Sequence, residues 1–180
     1  MQRLSAFIVL ALAALVACAR PVPNPAPASG ERIVASDQNG ASIRSTNTAG
    51  PISIEVQATP VAAYRALVSV YTQLGFAPET MDEASLRVAK TNLVVRRLLA
   101  GQRASAYFDC GQTLTGARAD EGRLTVDIAS QATSTGSGAV VATVVSAVVR
   151  SNDGAASSPT SCISTGLLEA RIHDAVKRGS

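Results

Sequence analysis

The feature that most limits what this chain can fold into is its first fifty residues, because few of them suit a packed core. Arg3 is followed by an unbroken apolar run from Ala6 to Ala17, and the run stops at Cys18, then Arg20 and a series of prolines. The run is too short to span a bilayer, which takes about 20 apolar residues. A charged start followed by a short apolar stretch is instead the layout of a secretory signal. From Ala19 to Gly30 the sequence ARPVPNPAPASG sets proline among small residues, which removes backbone donors and favours an extended tether. Glu31 to Gly50 is polar, with Ile33-Val34 and Ile43 as places for a short strand or two. The expected organisation is a signal over 1–17, a tether over 18–50 and one domain over 51–180. A stretch of that size builds one core rather than two. With 47% hydrophobic but only 3% aromatic residues and no Trp, that core must be made of Val, Ala, Leu and Ile, and it is thin.

The apolar run closes on Leu15-Val16-Ala17-Cys18, which resembles the lipobox of bacterial lipoproteins. The resemblance implies that the Cys18 thiol is acylated, that the peptide before it is removed, and that the chain hangs from a membrane by lipid. Ala19 in place of Asp implies the outer membrane; the domain is expected to face the periplasm, with the cell exterior as the alternative. The remaining cysteines, Cys110 and Cys162, then sit in an oxidising compartment, where an even pair in a small domain is most simply a disulfide. Two buried thiols, or a metal site completed by His173, are the alternatives, and the latter lacks the close ligand spacing of zinc motifs.

Lys and Arg number 16 against 13 Asp and Glu, and loss of the signal with Arg3 leaves 15 against 13. Such a balance argues against a nucleic-acid binder. No cofactor is expected. The basic residues are uneven, however. Arg87, Lys90, Arg96, Arg97 and Arg103 occur between Glu83 and Asp109 with no intervening acid, a possible patch for anionic lipid, peptidoglycan or an envelope protein complex. A solvated strand face with scattered arginines is the plainer alternative.

The domain opens on Ile52-Ser53-Ile54-Glu55-Val56, alternating at the strand period. Thr59-Pro60 predicts a helix start and Gly75 its end, with Val61, Tyr64, Leu67, Val68, Tyr71 and Leu74 as the apolar stripe and the tyrosine hydroxyls at water. Leu86 to Leu98 predicts one or two strands. Further strands are expected at 112–114, 124–128 and 139–149, with hairpin turns at Asp120-Glu121-Gly122 and Ser134 to Gly138. The paired valines of 139–149 predict a strand buried on both faces. A last helix follows from Leu168, Ile172, Ala175 and Val176, with Lys177-Arg178-Gly179 at its end. The fold class is α+β: an antiparallel sheet of about 4–6 strands with two helices on one face.

The stretch Ala63 to Val88, with a helix ending in Gln73-Leu74-Gly75-Phe76, is similar to the helix-grip domains in the C-subunit lipoprotein of the outer-membrane β-barrel assembly machinery. Phe108-Asp109-Cys110-Gly111 and Cys162-Ile163-Ser164-Thr165-Gly166 resemble paired signatures of bacterial lipoproteins of unknown function. These resemblances imply a helix-grip-like fold without catalytic residues. The chain departs from the assembly subunit in having one such domain and a cysteine pair.

Signs of catalysis are weak. His173 is the sole histidine, expected at a helix surface or end, and no GxSxG elbow accompanies the many serines. Asp82-Glu83 and Asp120-Glu121 read as turns rather than a glycosidase pair. The expected function is a non-catalytic envelope interaction module. A small-ligand or glycan-binding module and an envelope hydrolase are the alternatives. A filled core with an exposed flat patch would favour the first, a cavity lined by Val and Leu the second, and convergent acids or histidine in a cleft the third.

Overall fold

A computed structural model describes residues 30–36, 42–47, 50–152 and 158–179. Strands β1 (Gly30–Ser36) and β2 (Ser42–Asn47) pair antiparallel as a two-stranded sheet of their own. Cys18, the predicted anchor, lies outside the described residues.

The domain is α+β. Strand β3 (Ile52–Val56) leads into helix α1 (Pro60–Gln73), whose N-cap Thr59 accepts a hydrogen bond from the Ala62 amide at 3.2 Å. Proline at the first helical position costs nothing there, since its amide would be unpaired anyway. Gly75 takes the left-handed conformation that ends the helix (φ 87°). Strands β4 (Thr80–Asp82) and β5 (Arg87–Val95) follow. Next come a small hairpin of β6 (Leu98–Leu99) and β7 (Gln102–Arg103), a helical turn α2 (Ala104–Tyr107), β8 (Phe108–Asp109) and a second helical turn α3 (Arg118–Glu121). The long strands β9 (Arg123–Ser134) and β10 (Ala139–Arg150) form the central hairpin, and β11 (Thr160–Ser164) and helix α4 (Leu167–Gly179) complete the order.

The main sheet has seven strands and runs β4-β5-β9-β10, with the far edge of β10 shared by β3 along its first half and by β11, itself paired with β8, along its second. All these pairings are antiparallel. Strict alternation along β9 and β10 sends Leu124, Val126, Ile128, Val141, Val145 and Val149 to one face, where α1 and α4 cover them. Leu67, Tyr71, Leu168, Ile172 and Val176 of the two helices are fully buried against that face.

Several expectations are corrected. β10 is buried on one face only, because both helices lie on the same side; Val144 and Val148 on the other side are 39% and 37% exposed. Residues 112–114 form no strand: Gln112 makes a single bridge to Ala117 and Leu114 stands fully in solvent. Asp120-Glu121 belong to α3 rather than to a hairpin turn. The buried stripe of α1 is Ala63, Tyr64, Ala66, Leu67, Val70 and Tyr71, so it is rotated away from Val61 and Val68 toward small residues that let the helix approach the sheet.

Candidate functional site

The groups with most chemical capacity meet inside the domain. Tyr71 Oη and Ser130 Oγ share a hydrogen bond of 2.9 Å, Ser130 Oγ and Thr143 Oγ1 one of 2.8 Å, and Thr143 Oγ1 and His173 Nε2 one of 3.0 Å. The relay thus crosses from α1 through β9 and β10 to α4. Every member is buried. Burial pushes the Tyr71 hydroxyl well above its ordinary range, and it pushes His173 below the usual imidazole value, with Lys177 adding to that effect and Asp174 opposing it. His173 is therefore a core residue, not the surface residue expected from the sequence. The hydroxyl of Tyr71 is likewise not at water. Neighbouring residues on a helix point apart, and Asp174 accordingly faces a groove between the ends of α1 and α4. A hydroxyl 3.0 Å from an imidazole is the pairing a nucleophile needs. Here both groups are sealed under the helices, so the pair can tie elements together but offers a substrate no approach.

The groove holds about 320 Å³ and is lined by Val70, Gln73, Leu74, Asp174 and Arg178 among others. It is shallow and half polar. Among the described residues no group of three His, Cys, Asp or Glu could hold a metal ion, and no helix is long and apolar enough to cross a membrane. Cys110 and Cys162 are joined as a disulfide, closing the 52-residue separation between the end of β8 and β11.

The basic segment does not stay together in space. Lys90 pairs with Glu79 at 3.3 Å, and Arg87 lies beside the strand partner Asp82. Arg96, Arg97 and Arg103 are instead exposed around the β6-β7 hairpin. Its tip turns through Ala100 and Gly101, both left-handed (φ 47° and 79°), and Arg171 of α4 fastens it by donating to the Ala100 carbonyl at 2.8 Å and to the Tyr107 hydroxyl.

Two arginines missed by the sequence reading join this end. Arg123 and Arg150 are directly paired at the open end of the β9-β10 ladder, and both are exposed. Val95 pairs with Leu124, so Arg96, the next residue, stands level with Arg123. Val95, Leu124 and Val149 are buried under the helices, so alternation turns all three arginines toward the other side of the sheet. The signal was available in the sequence: a tight turn at 135–138 makes every pair of the hairpin symmetric about it and so places 123 opposite 150. Gly122 lets the chain enter here, since a Cβ would come within 2.4 Å of Val149 and 2.8 Å of the Arg150 carbonyl.

On the bare side of the sheet β10 presents Val140, Ala142, Val144, Ser146 and Val148, opposite Thr133, Gln131, Ala129, Asp127 and Thr125 of β9. Val94 of β5, 45% exposed, extends this face beside Thr125. It is a broad face of small and β-branched residues with polar ones between them, and the arginines stand at one end of it. No family model and no curated protein matches this sequence.

Proposed function

We propose that the chain is a non-catalytic lipoprotein of the outer membrane, anchored through Cys18 and facing the periplasm, whose domain holds an envelope protein on the bare face of its sheet. The observation that carries this reading is the contrast between the two faces of that sheet. One is closed by α1 and α4 over a filled core, while the other leaves Val144, Val148 and Val94 substantially exposed. A ligand carrier of this architecture keeps a cavity between sheet and helix, and here Tyr71, Phe76, Leu67, Ile128 and Ile172 fill that space. The only histidine is spent inside the core. An exposed valine patch over a core filled by the described side chains supports interaction rather than enclosure.

The test is photo-crosslinking in cells from a reactive side chain placed at Val144, with the captured envelope protein identified by mass spectrometry. The expected result is reproducible capture of one envelope complex, lost in Val148→Lys and absent when the probe sits at Gln73 on the helix side. Equal capture from both positions would overturn the sheet-face reading. For the anchor, Cys18→Ala should move the chain from the membrane to the soluble fraction; unchanged membrane retention would sink it.

A further inference from the structure

Five arginines gather at one end of the sheet. Arg96, Arg97, Arg103, Arg123 and Arg150 are exposed, and none forms an ion pair among the described residues. Arg123 and Arg150 are direct cross-strand partners, an arrangement in which like charges repel and weaken the ladder. Three described acids of this end accept hydrogen bonds from neutral donors. Asp109 accepts from the Gly111 amide at 2.8 Å, Asp120 from the Ser105 amide and hydroxyl at 2.9 and 2.7 Å, and Glu121 from the Thr113 hydroxyl. The acids Glu55, Glu79, Asp82 and Glu83 lie toward the opposite end, on β3 and around β4. The domain is therefore polarised along its strands.

Charge is not the whole of it. The two most exposed large apolar side chains of the described residues, Leu98 at 62% and Leu114 at 107%, both lie on the segment 96–122 that links β5 to β9 at this end. Leu98 is the hairpin partner of Arg103. Arginines together with exposed leucines suit a bilayer interface, where the guanidinium meets phosphate and the leucine meets the acyl boundary. Chain direction agrees. Ile52 pairs with Thr143 and Val56 with Ala139, so β3 runs away from the arginine end.

We infer that the arginine end of the sheet, with Leu98 and Leu114, is a docking surface for an anionic phospholipid bilayer. The surface orients the domain on the membrane, with the hairpin against the headgroups and the strands standing away from them. It rests on the lipoprotein reading only for the nearness of a membrane.

The chain contains no Trp, so Leu98→Trp in the full lipidated chain is a clean reporter. It is reconstituted in vesicles of phosphatidylcholine with or without phosphatidylglycerol. Emission should shift to the blue, and be quenched by brominated acyl chains, only when phosphatidylglycerol is present. The effect should vanish at about 1 M salt, where screening falls to about 3 Å. Each arginine near an anionic surface contributes roughly fivefold to binding, so adding Arg123→Glu and Arg150→Glu should weaken docking about 25-fold or more. Met81→Trp, at the far end of the sheet, should stay unquenched.

No anionic-lipid dependence, or equal quenching at both positions, overturns the proposal. So does an equal shift with soluble polyglutamate and no bromolipid quenching, which would assign the arginines to an acidic partner. Failure of the chain to float with any vesicle would instead count against the anchor. Anionic vesicles added to that unanchored chain would still decide the arginine end by the same emission.

Discussion

The His173 pKa lies below the ordinary 6.5 because burial, aided by Lys177, outweighs the opposing charge of Asp174. The unfolded chain takes up a proton near pH 6.5 that the folded chain refuses, so stability falls as pH drops below about 6.5 and stops falling below the folded pKa. Within that window the slope is at most about 1.4 kcal/mol per pH unit. Glu79, Asp82 and Glu121 have pKa values lowered by hydrogen bonds from Thr91, Ser85 and Thr113 respectively. Their contributions are present above the ordinary carboxylate range and are lost at lower pH than the histidine's. His173→Gln, which can still bond Thr143, should therefore flatten the urea-midpoint profile between about pH 7 and 5. An unchanged slope would place the titration elsewhere. Thr143→Val strips a partner from both Ser130 and His173 and should cost roughly 1–3 kcal/mol at pH 7. The relay was partly legible beforehand. His173 and Glu169 sit within the face marked by Leu168, Ile172 and Val176, but a stripe drawn from apolar residues alone passes over polar ones whose partners come from distant strands.

At the scale of elements, the weakest joint is β8. It is two residues long, paired with β11 only through Asp109 with Ile163 and Phe108 with Ser164. Two bonds from Thr165, to the Tyr107 carbonyl at 2.9 Å and the Ala106 carbonyl at 2.8 Å, reinforce it, and Cys110–Cys162 closes it covalently. On the chain-entropy view, a bridge across 52 residues is worth about 4 kcal/mol. Replacing both cysteines by serine should lower stability by up to about that amount. Amide exchange should rise first over 104–122, while the β9-β10 hairpin keeps its protection. Uniform loss across the sheet would show that the bridge stabilises the domain globally rather than this joint. The helix bounded by Thr59 and Gly75, and the long β-branched strands, followed from local chemistry and so could be read from the chain. Segment 96–122 could not, because its two-residue strands and single helical turns carry no periodicity and owe their form to the disulfide, to Arg171 and to Asp120.

The described residues of the domain form two layers, helices on one face of a sheet, and leave valines of the other face exposed. The valines of β10 come in pairs, and from the sequence they suggested a strand covered on both faces. A strand covered by helices of its own domain on one side and by another segment or molecule on the other has the same apolar signature, so the sequence could not tell the two arrangements apart. The distinction has an energetic consequence in the isolated chain. Val141, fully buried under the helices, should cost roughly 2 kcal/mol or more when cut to alanine, through lost methyl burial and the cavity left behind. Val144→Lys and Val148→Lys, on the bare side, should stay within about 0.5 kcal/mol, as surface changes do. Both predictions are read from urea unfolding of the purified full-length chain. If the lysine variants lose 2 kcal/mol or more, another part of the same chain is seated on this face and the surface is not free for a partner. If they are neutral in isolation yet abolish crosslinking in cells, the apolar character of the face serves association rather than folding. The valines would then be retained for a partner that the fold itself does not need.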